Sequence, residues 1–323
     1  MTAVLFTTDT ELSPAFHRRG MNAEENLEVS IFGRVGGGEW GIAHQMARLN
    51  EHRLKGVFFV EALSSFVFGG DSLKRVVDPI LDGGHEVQLH IHTEWIDWMG
   101  KDPVAGRRGG NIANFCFDDQ RRLLEMGLEA LVDAGAPRPI AFRAGNYGAS
   151  NGTLRALHSL GVRFDASYNY VYLGTDCEIL CDRPLFHPAL IEGVIEMPIT
   201  FFEDYPGHCR PLQLAAASAS EHEWVLRACV AAHRPSIVIV SHGFELLNRD
   251  RRRANRLLAR RCDAMCAMLQ ARRAEAPTTH FASIAADAAL ASENRGAMIK
   301  SSPVRTFSRV AEQALGTLVY DIA

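Results

Sequence analysis

The seven cysteines of this 323-residue chain are odd in number and irregularly spaced, and none forms a Cys-x-x-Cys pair. That excludes a disulfide scaffold and a thiolate metal module of the usual spacing. Cys262 and Cys266 stand at i, i+4 on a predicted helix without other ligands nearby, so packing accounts for them. No apolar run reaches the length of a membrane span, and no secretory signal precedes Val4. A reduced, cytoplasmic protein is the expectation. A basic excess is missing too: the net charge is -4, which gives no electrostatic footprint for nucleic acid. The one dense arginine run, Arg249–Arg261, has helical periodicity and reads as the solvated face of a helix over Arg249–Arg273, with an anionic partner as the alternative. No repeat or low-complexity linker interrupts the chain. What remains is an ordinary globular composition, 47% hydrophobic and 22% charged, long enough for one large core or two ordinary domains.

Apolar strands and amphipathic helices alternate about seven times. Strands are predicted over Ala3–Thr8, Lys55–Glu61, Glu86–His90, Pro139–Arg143, Val162–Ser167, Val194–Pro198, Ser236–His242 and near His280–Ile284. Helices are predicted over Trp40–Glu51, Ser72–Leu81, Asp118–Ala134, Asn151–Leu160, Glu221–His233 and Arg249–Arg273. The stretches through Gly38 and over Lys101–Asn114 read as loops. Such alternation predicts a parallel sheet with helical crossovers. Polar residues recur at the carboxyl ends of the strands: Asp9 and Glu11, Glu61, His90 and His92, Arg143, Asp165, His242. A closed barrel gathers all those ends on one face, whereas an open doubly wound sheet gathers fewer. An α/β barrel over residues 1–290 is therefore predicted. A tail over 291–323 follows, read as linker plus a short docking helix at Ala311–Val319 through which the chain could oligomerise.

The densest chemistry lies in Gly84-His85-Glu86-Val87-Gln88-Leu89-His90-Ile91-His92-Thr93-Glu94. In an extended backbone His90 and His92 share a face; in a helical one His90 and Glu94 become neighbours. Alternation from Val87 onward favours the extended form and hence His92. Histidine with carboxylate suits zinc, iron, cobalt or nickel better than magnesium. Asp9 and Glu11, at i, i+2, can divide the work between metal ligation and proton abstraction. His242 leaves a buried Val/Ile strand where a histidine can serve as a general acid. Arg143 can orient a carboxylate, for which Asp9 is the natural partner. For any one of these residues taken alone, a packed core histidine, a turn-capping acid or a surface ion pair explains it as well.

In order along the chain, Thr7-Thr8-Asp9-Thr10-Glu11, Phe58-Phe59-Val60, Gly84-His85-Glu86 with His90, Arg143-Ala144-Gly145-Asn146-Tyr147-Gly148, Phe164-Asp165-Ala166-Ser167 and Val240-Ser241-His242 resemble the motifs of the NodB-type polysaccharide deacetylases over roughly residues 3–285. The resemblance implies a distorted (β/α)7 barrel, Asp9 as catalytic base, Arg143 holding it and His242 as general acid. It implies one divalent transition metal, zinc foremost, with His90 among its ligands, and substrate contacts from Tyr147 and Asp165. Three positions depart from the family pattern. Thr10 replaces a second aspartate, which leaves Glu11 or Asp9 to bind the metal. Glu94 stands where the second histidine is usual, so His92 is the expected substitute. Ala144-Gly145 replaces a double proline. The Asp-x-Glu and His-x-His-x-x-Trp signatures resemble the branch acting in lipopolysaccharide and capsule biosynthesis. The implied activity is metal-dependent removal of acetyl groups from a sugar or glycan precursor. Hydrolysis of a non-sugar amide and an inactive barrel serving as a binding partner are the rival readings.

Overall fold

In the computed structural model, which describes residues 1–290 and 296–320, the strands of the main sheet and of one separate hairpin come in chain order as β1 Ala3–Thr10, β2 Val57–Glu61, β3 Glu86–Ile91, β4 Ala141–Ala144, β5 Phe164–Asp165, β6 Ala189–Ile191, β7 Val194–Glu196, the hairpin of β8 Phe201–Tyr205 and β9 His208–Pro211, and β10 Ser236–His242; a small second hairpin pairs Arg34–Val35 with Gly38–Glu39. The main sheet runs β10-β1-β2-β3-β4-β5-β7-β6. Its first seven strands are mutually parallel, and β6 pairs antiparallel to β7. Between β7 and β10 irregular backbone closes the circle. The Thr200 N–H donates to the Val238 carbonyl at 3.2 Å, and Leu212–Leu214 exchange hydrogen bonds with Val240 at 2.9 and 3.0 Å. The result is the barrel that the alternation predicts, in the distorted (β/α)7 form that the resemblance implies.

Helices α1 Ile42–Glu51, α2 Gly70–Asp82, α3 Phe117–Asp133, α4 Asn151–Ser159, α5 Ala219–Ala231 and α6 Arg256–Ala271 surround the sheet, and α7 Pro303–Tyr320 follows them. In α2, Leu73, Val76, Val77 and Ile80 form the buried stripe, and Gly84 stops the helix in a left-handed conformation at φ 74°.

The strands are apolar on both faces because both are covered. Val4, Phe6, Phe58, Val60, Leu89, Ile91 and Phe142 pack outward with the helices. Leu5, Val57, Phe59, Ala141, Phe164, Ile195, Val238 and Val240 fill the barrel. Each fully buried side chain of this size contributes about 1.5–3 kcal/mol of apolar transfer free energy.

Several elements differ from expectation for identifiable reasons. The segment predicted as a strand at His280–Ile284 is a single 3₁₀ turn, Phe281–Ser283. The Glu86 carboxylate accepts the N–H groups of Phe281 and Ala282 at 2.7 and 2.9 Å, and the Phe281 ring packs inside the barrel. The helix expected from Arg249 begins only at Arg256, capped by Asn255. Before it the Asn248 side chain takes the N–H groups of Arg252 and Arg253, closing a loop instead. The stretch through Gly38 carries short helices at Pro14–Arg18 and Ala23–Leu27. The docking helix of the tail is longer than Ala311–Val319, and its inner face meets the chain's own hairpin. The boundary expected after residue 290 falls on 291–295, outside the described residues. The seven cysteines are free. Among the described residues no helix is long and apolar enough to cross a membrane.

Candidate active site

Strand parity decides which polar residues reach the barrel mouth. Side chains alternate between faces, so Asp9 follows Leu5, Arg143 follows Ala141 and His242 follows Val240 into the interior. His90, on β3, alternates with the outward Leu89 and Ile91. Register then levels them: Asp9 pairs with His242, and His90 with Arg143. Glu11 and His92 lie just beyond their strand ends. All of these except the fully buried Arg143 line one cavity of about 280 Å³, together with Tyr147, Tyr172, Asp176 and Gln213.

Glu11, His90 and His92 converge, their donor atoms all within 4.8 Å of one another. The Nε2 atoms of His90 and His92 lie 3.1 and 2.7 Å from one Glu11 oxygen. Their Nδ1 atoms face other acceptors. His90 Nδ1 donates to the Arg143 carbonyl at 2.8 Å and His92 Nδ1 faces the Glu94 carboxylate at 3.2 Å. Those partners fix both rings with Nε2 toward Glu11, as outer partners orient metal-ligating histidines. Burial opposes charge on His92, yet Glu11 and Glu94 hold it well above the ordinary histidine range. Glu11, although burial opposes its ionisation, is held well below the usual carboxylate range by His92 and His90. A divalent cation can replace the proton shared in this cluster, because it would meet two imidazole lone pairs and a carboxylate at once. The donor set therefore fits a transition metal.

Glu94 stands behind His92, which matches the extended geometry expected of this segment. Gly145 makes room for it. A Cβ at position 145 would come within 2.7 Å of His92 Nδ1 and 2.8 Å of Cε1 and Cγ. Residue 145 and the His92 ring are thus sterically coupled. Thr10 takes no part: its hydroxyl donates to the Thr8 carbonyl.

Arg143 is fully buried and donates from Nη1 to Asp9 Oδ1 at 2.6 Å and from Nε to the Ala166 carbonyl at 3.0 Å. Its guanidinium lies 4.3 Å from the Phe59 ring centroid. This leaves Asp9 Oδ2 facing His242 Nε2 at 3.8 Å. On the other side of that ring Nδ1 lies 3.1 Å from Glu245 Oε1. Burial lowers the affinity of His242 for a proton, but Glu245 first, then Asp9 and Glu11, raise its pKa to about 9.

Asp165 is the exception among the expected site residues. It alternates with the inward Phe164, so it turns away from the mouth and is fully buried. Both its oxygens accept from Ser167, through N–H at 3.0 Å and Oγ at 2.8 Å. It does not line the cavity, which corrects its expected contact with substrate. Tyr147 does line it, stacked on Tyr172 at 5.5 Å, at the end of a turn where Asn146 and Tyr147 both take positive φ. Glu245 and Gln213 went unseen in the sequence. Glu245 follows His242 by three residues in His-Gly-Phe-Glu, a carboxylate near enough in sequence to have been weighed.

No protein-family profile matches the chain. No curated protein is similar to it by sequence. Among solved structures, a protein from Mycobacterium smegmatis assigned as a polysaccharide deacetylase superposes with a TM-score of 0.52 at 18% identity, covering 87% of each chain. A family 4 carbohydrate esterase from Streptomyces lividans in complex with acetate gives 0.44 at 11% identity, over 86% of this chain and 92% of its own. A family 4 pseudoenzyme from Bacillus anthracis gives 0.42 at 9%, over 86% and 63%. The first likeness shows a shared fold, so the resemblance of motifs extends to the architecture that carries them.

Proposed function

We propose that this protein is a metal-dependent deacetylase acting on an acetylated sugar precursor of a cell-surface glycan, in the cytoplasm. One observation carries the reading. The Glu11–His90–His92 cluster shares a cavity with a carboxylate held by a buried arginine and with a histidine held protonated by a second carboxylate.

A divalent transition metal, zinc foremost, held by Glu11, His90 and His92 would polarise the acetyl carbonyl and acidify a water. Asp9 is placed to take a proton from the attacking water through Oδ2, because Oδ1 is engaged by Arg143. Arg143 keeps the base aimed. His242 carries its proton at neutral pH and delivers it from Nε2 to the departing amine or hydroxyl, while Glu245 keeps Nδ1 occupied. The acetyl bond breaks as the water oxygen joins the acyl carbon, leaving acetate and the freed sugar group. Tyr147 and Tyr172 offer a stacked aromatic wall for the sugar.

The test is acetate release by zinc-loaded protein from N-acetylated and O-acetylated sugars. Release from one class, abolished by a chelator and restored by metal, is expected. Protein holding stoichiometric metal yet releasing no acetate from either class would sink the reading.

A further inference from the structure

We infer that the substrate bears phosphate, and that an arginine-lined cleft beside the active site holds it. The identity of the ligand as an acetylated sugar rests on the deacetylase reading; the cleft does not.

The cleft measures about 750 Å³, larger than the 280 Å³ catalytic cavity. Arg19, Arg249, Arg251 and Arg252 line it, with Phe16 among its apolar wall residues. It is built from the segment after β1 and the segment after β10, the two that deliver Glu11 and His242. It therefore opens on the same end of the barrel. A chain of contacts joins the two sites. The Arg251 guanidinium sits 3.8 Å from the Phe244 ring centroid and 4.8 Å from that of Phe16. The Phe244 ring in turn meets His242 at 5.2 Å.

The arginines of this cleft differ from those that carboxylates neutralise, and they are gathered around one concave space. Arg34, Arg75 and Arg108 are each tied to carboxylates. Among the described residues, Arg19, Arg249 and Arg252 have no carboxylate within ion-pair distance. The two acids of the lining are engaged elsewhere: Glu25 accepts the Asn22 N–H and Asp250 accepts the Arg252 N–H. The loop that carries Arg249–Arg252 is pinned by Asn248 and by Arg251, whose Nη1 donates to Ser30. Exposed, unpaired guanidiniums on a pinned loop around a concave space are suited to a multiply charged oxyanion. Phosphate matches the planar fork and, with more oxygens and more charge than a carboxylate, can take several forks at once. The arginine run, read from sequence as a solvated helix face, becomes a binding loop because Asn248 keeps it out of the helix.

Calorimetric titration with inorganic pyrophosphate and with inorganic phosphate tests this, on zinc-loaded protein except for His90→Ala, which holds no stoichiometric metal. Three proteins are compared: wild type, the Arg249→Ser/Arg252→Ser double variant and His90→Ala. Pyrophosphate should bind wild type and His90→Ala alike, and weaken by at least about tenfold in the arginine variant. An unchanged thermal midpoint for that variant would assign the loss to the cleft. If its midpoint falls, Arg249→Lys/Arg252→Lys, which keeps the charge, should recover part of the binding. Pyrophosphate binding tighter than phosphate identifies a nucleoside diphosphate sugar, and equal binding a sugar monophosphate. Absence of binding, or binding lost in His90→Ala and kept in the arginine variant, overturns the inference. Acetate release is measured separately, so a failed deacetylase and a failed phosphate site give different results.

Discussion

Two buried carboxylate clusters in this molecule are neutralised by different cations. At the barrel mouth Glu11 faces His90 and His92. Near the tail, Asp204 faces Arg309, Arg210 and His208, and Glu221 faces Arg309. Arg309 and both acids are almost fully buried, and the contact fixes α7 against the β8–β9 hairpin and α5. Arginine keeps its proton at any accessible pH, so the buried Arg309 pairs at the centre of this second cluster can only hold or break, and its one histidine, His208, is a partly exposed outer member. Histidine can give up its proton and offer the same nitrogen to a metal. Chemistry is open to the first cluster and closed to the Arg309 pairs of the second.

Breaking each cluster should separate the roles. His90→Ala should abolish stoichiometric metal binding and acetate release, a loss beyond the roughly 10–100-fold typical of outer-shell changes. Elemental analysis of the purified variant checks it, and full metal content would count against His90 as a ligand. Arg309→Ala should cost roughly 3–5 kcal/mol, because Asp204 and Glu221 lose a partner they cannot replace with solvent. Denaturant unfolding measures that loss. Metal content should stay at the wild-type level, and a coupled fall in metal would mean that the two clusters are not independent.

A milder change separates orientation from charge. Arg143→Lys keeps a cation behind Asp9 but removes the fork that also holds the Ala166 carbonyl. Turnover should fall by about tenfold or more with metal and fold intact. Steady-state kinetics showing unchanged kcat would remove Arg143 from the role of positioning the base.

The mouth cluster was largely legible in the sequence, because strand parity is written in alternation. Asp9, His90, Arg143 and His242 could each be placed inward from their apolar neighbours. Asp165 could not, since a strand of two residues takes its face from the partner strand rather than from its own pattern. Glu245 was missed because its value lies in a contact across a turn. The loop at Arg249–Arg253 was missed because helical periodicity continues through it, and only the side-chain bonds of Asn248 interrupt the helix. The arginine that anchors α7 gave no sign at all: its partners Asp204 and Glu221 are about 90–105 positions away in the chain.

The pH dependence sharpens the comparison further. His242 has its pKa raised to about 9, so the general acid is protonated at neutral pH and lost as pH rises through that value. The kcat/KM profile should fall on its alkaline side there, and His242→Gln should flatten that limb. The same proton adds stability that is complete below the ordinary histidine value of about 6.5 and disappears as pH rises through about 9. The Arg309 pairs with Asp204 and Glu221 should contribute no matching change, since arginine does not titrate over that interval.

The smallest effect expected is at Gly145. Its φ is not in the left-handed region, so alanine meets no backbone obstacle. The nearest conflict is with the His92 ring, 2.7–2.8 Å from the new Cβ. That ring is held on both sides, by Glu11 and by Glu94, and so cannot swing away without giving up one of them. Metal sites tolerate displacements of only about 0.2 Å in ligand distance. Gly145→Ala should therefore weaken metal binding by about tenfold, comparable to loss of an outer-shell partner, with little change in unfolding. The double-variant cycle with His92→Ala makes the cause explicit. If the alanine acts by pushing His92, adding it to His92→Ala should cost nothing more. Additive losses would show that residue 145 acts through something other than the ring, and would separate the glycine at 145 from the histidine at 92.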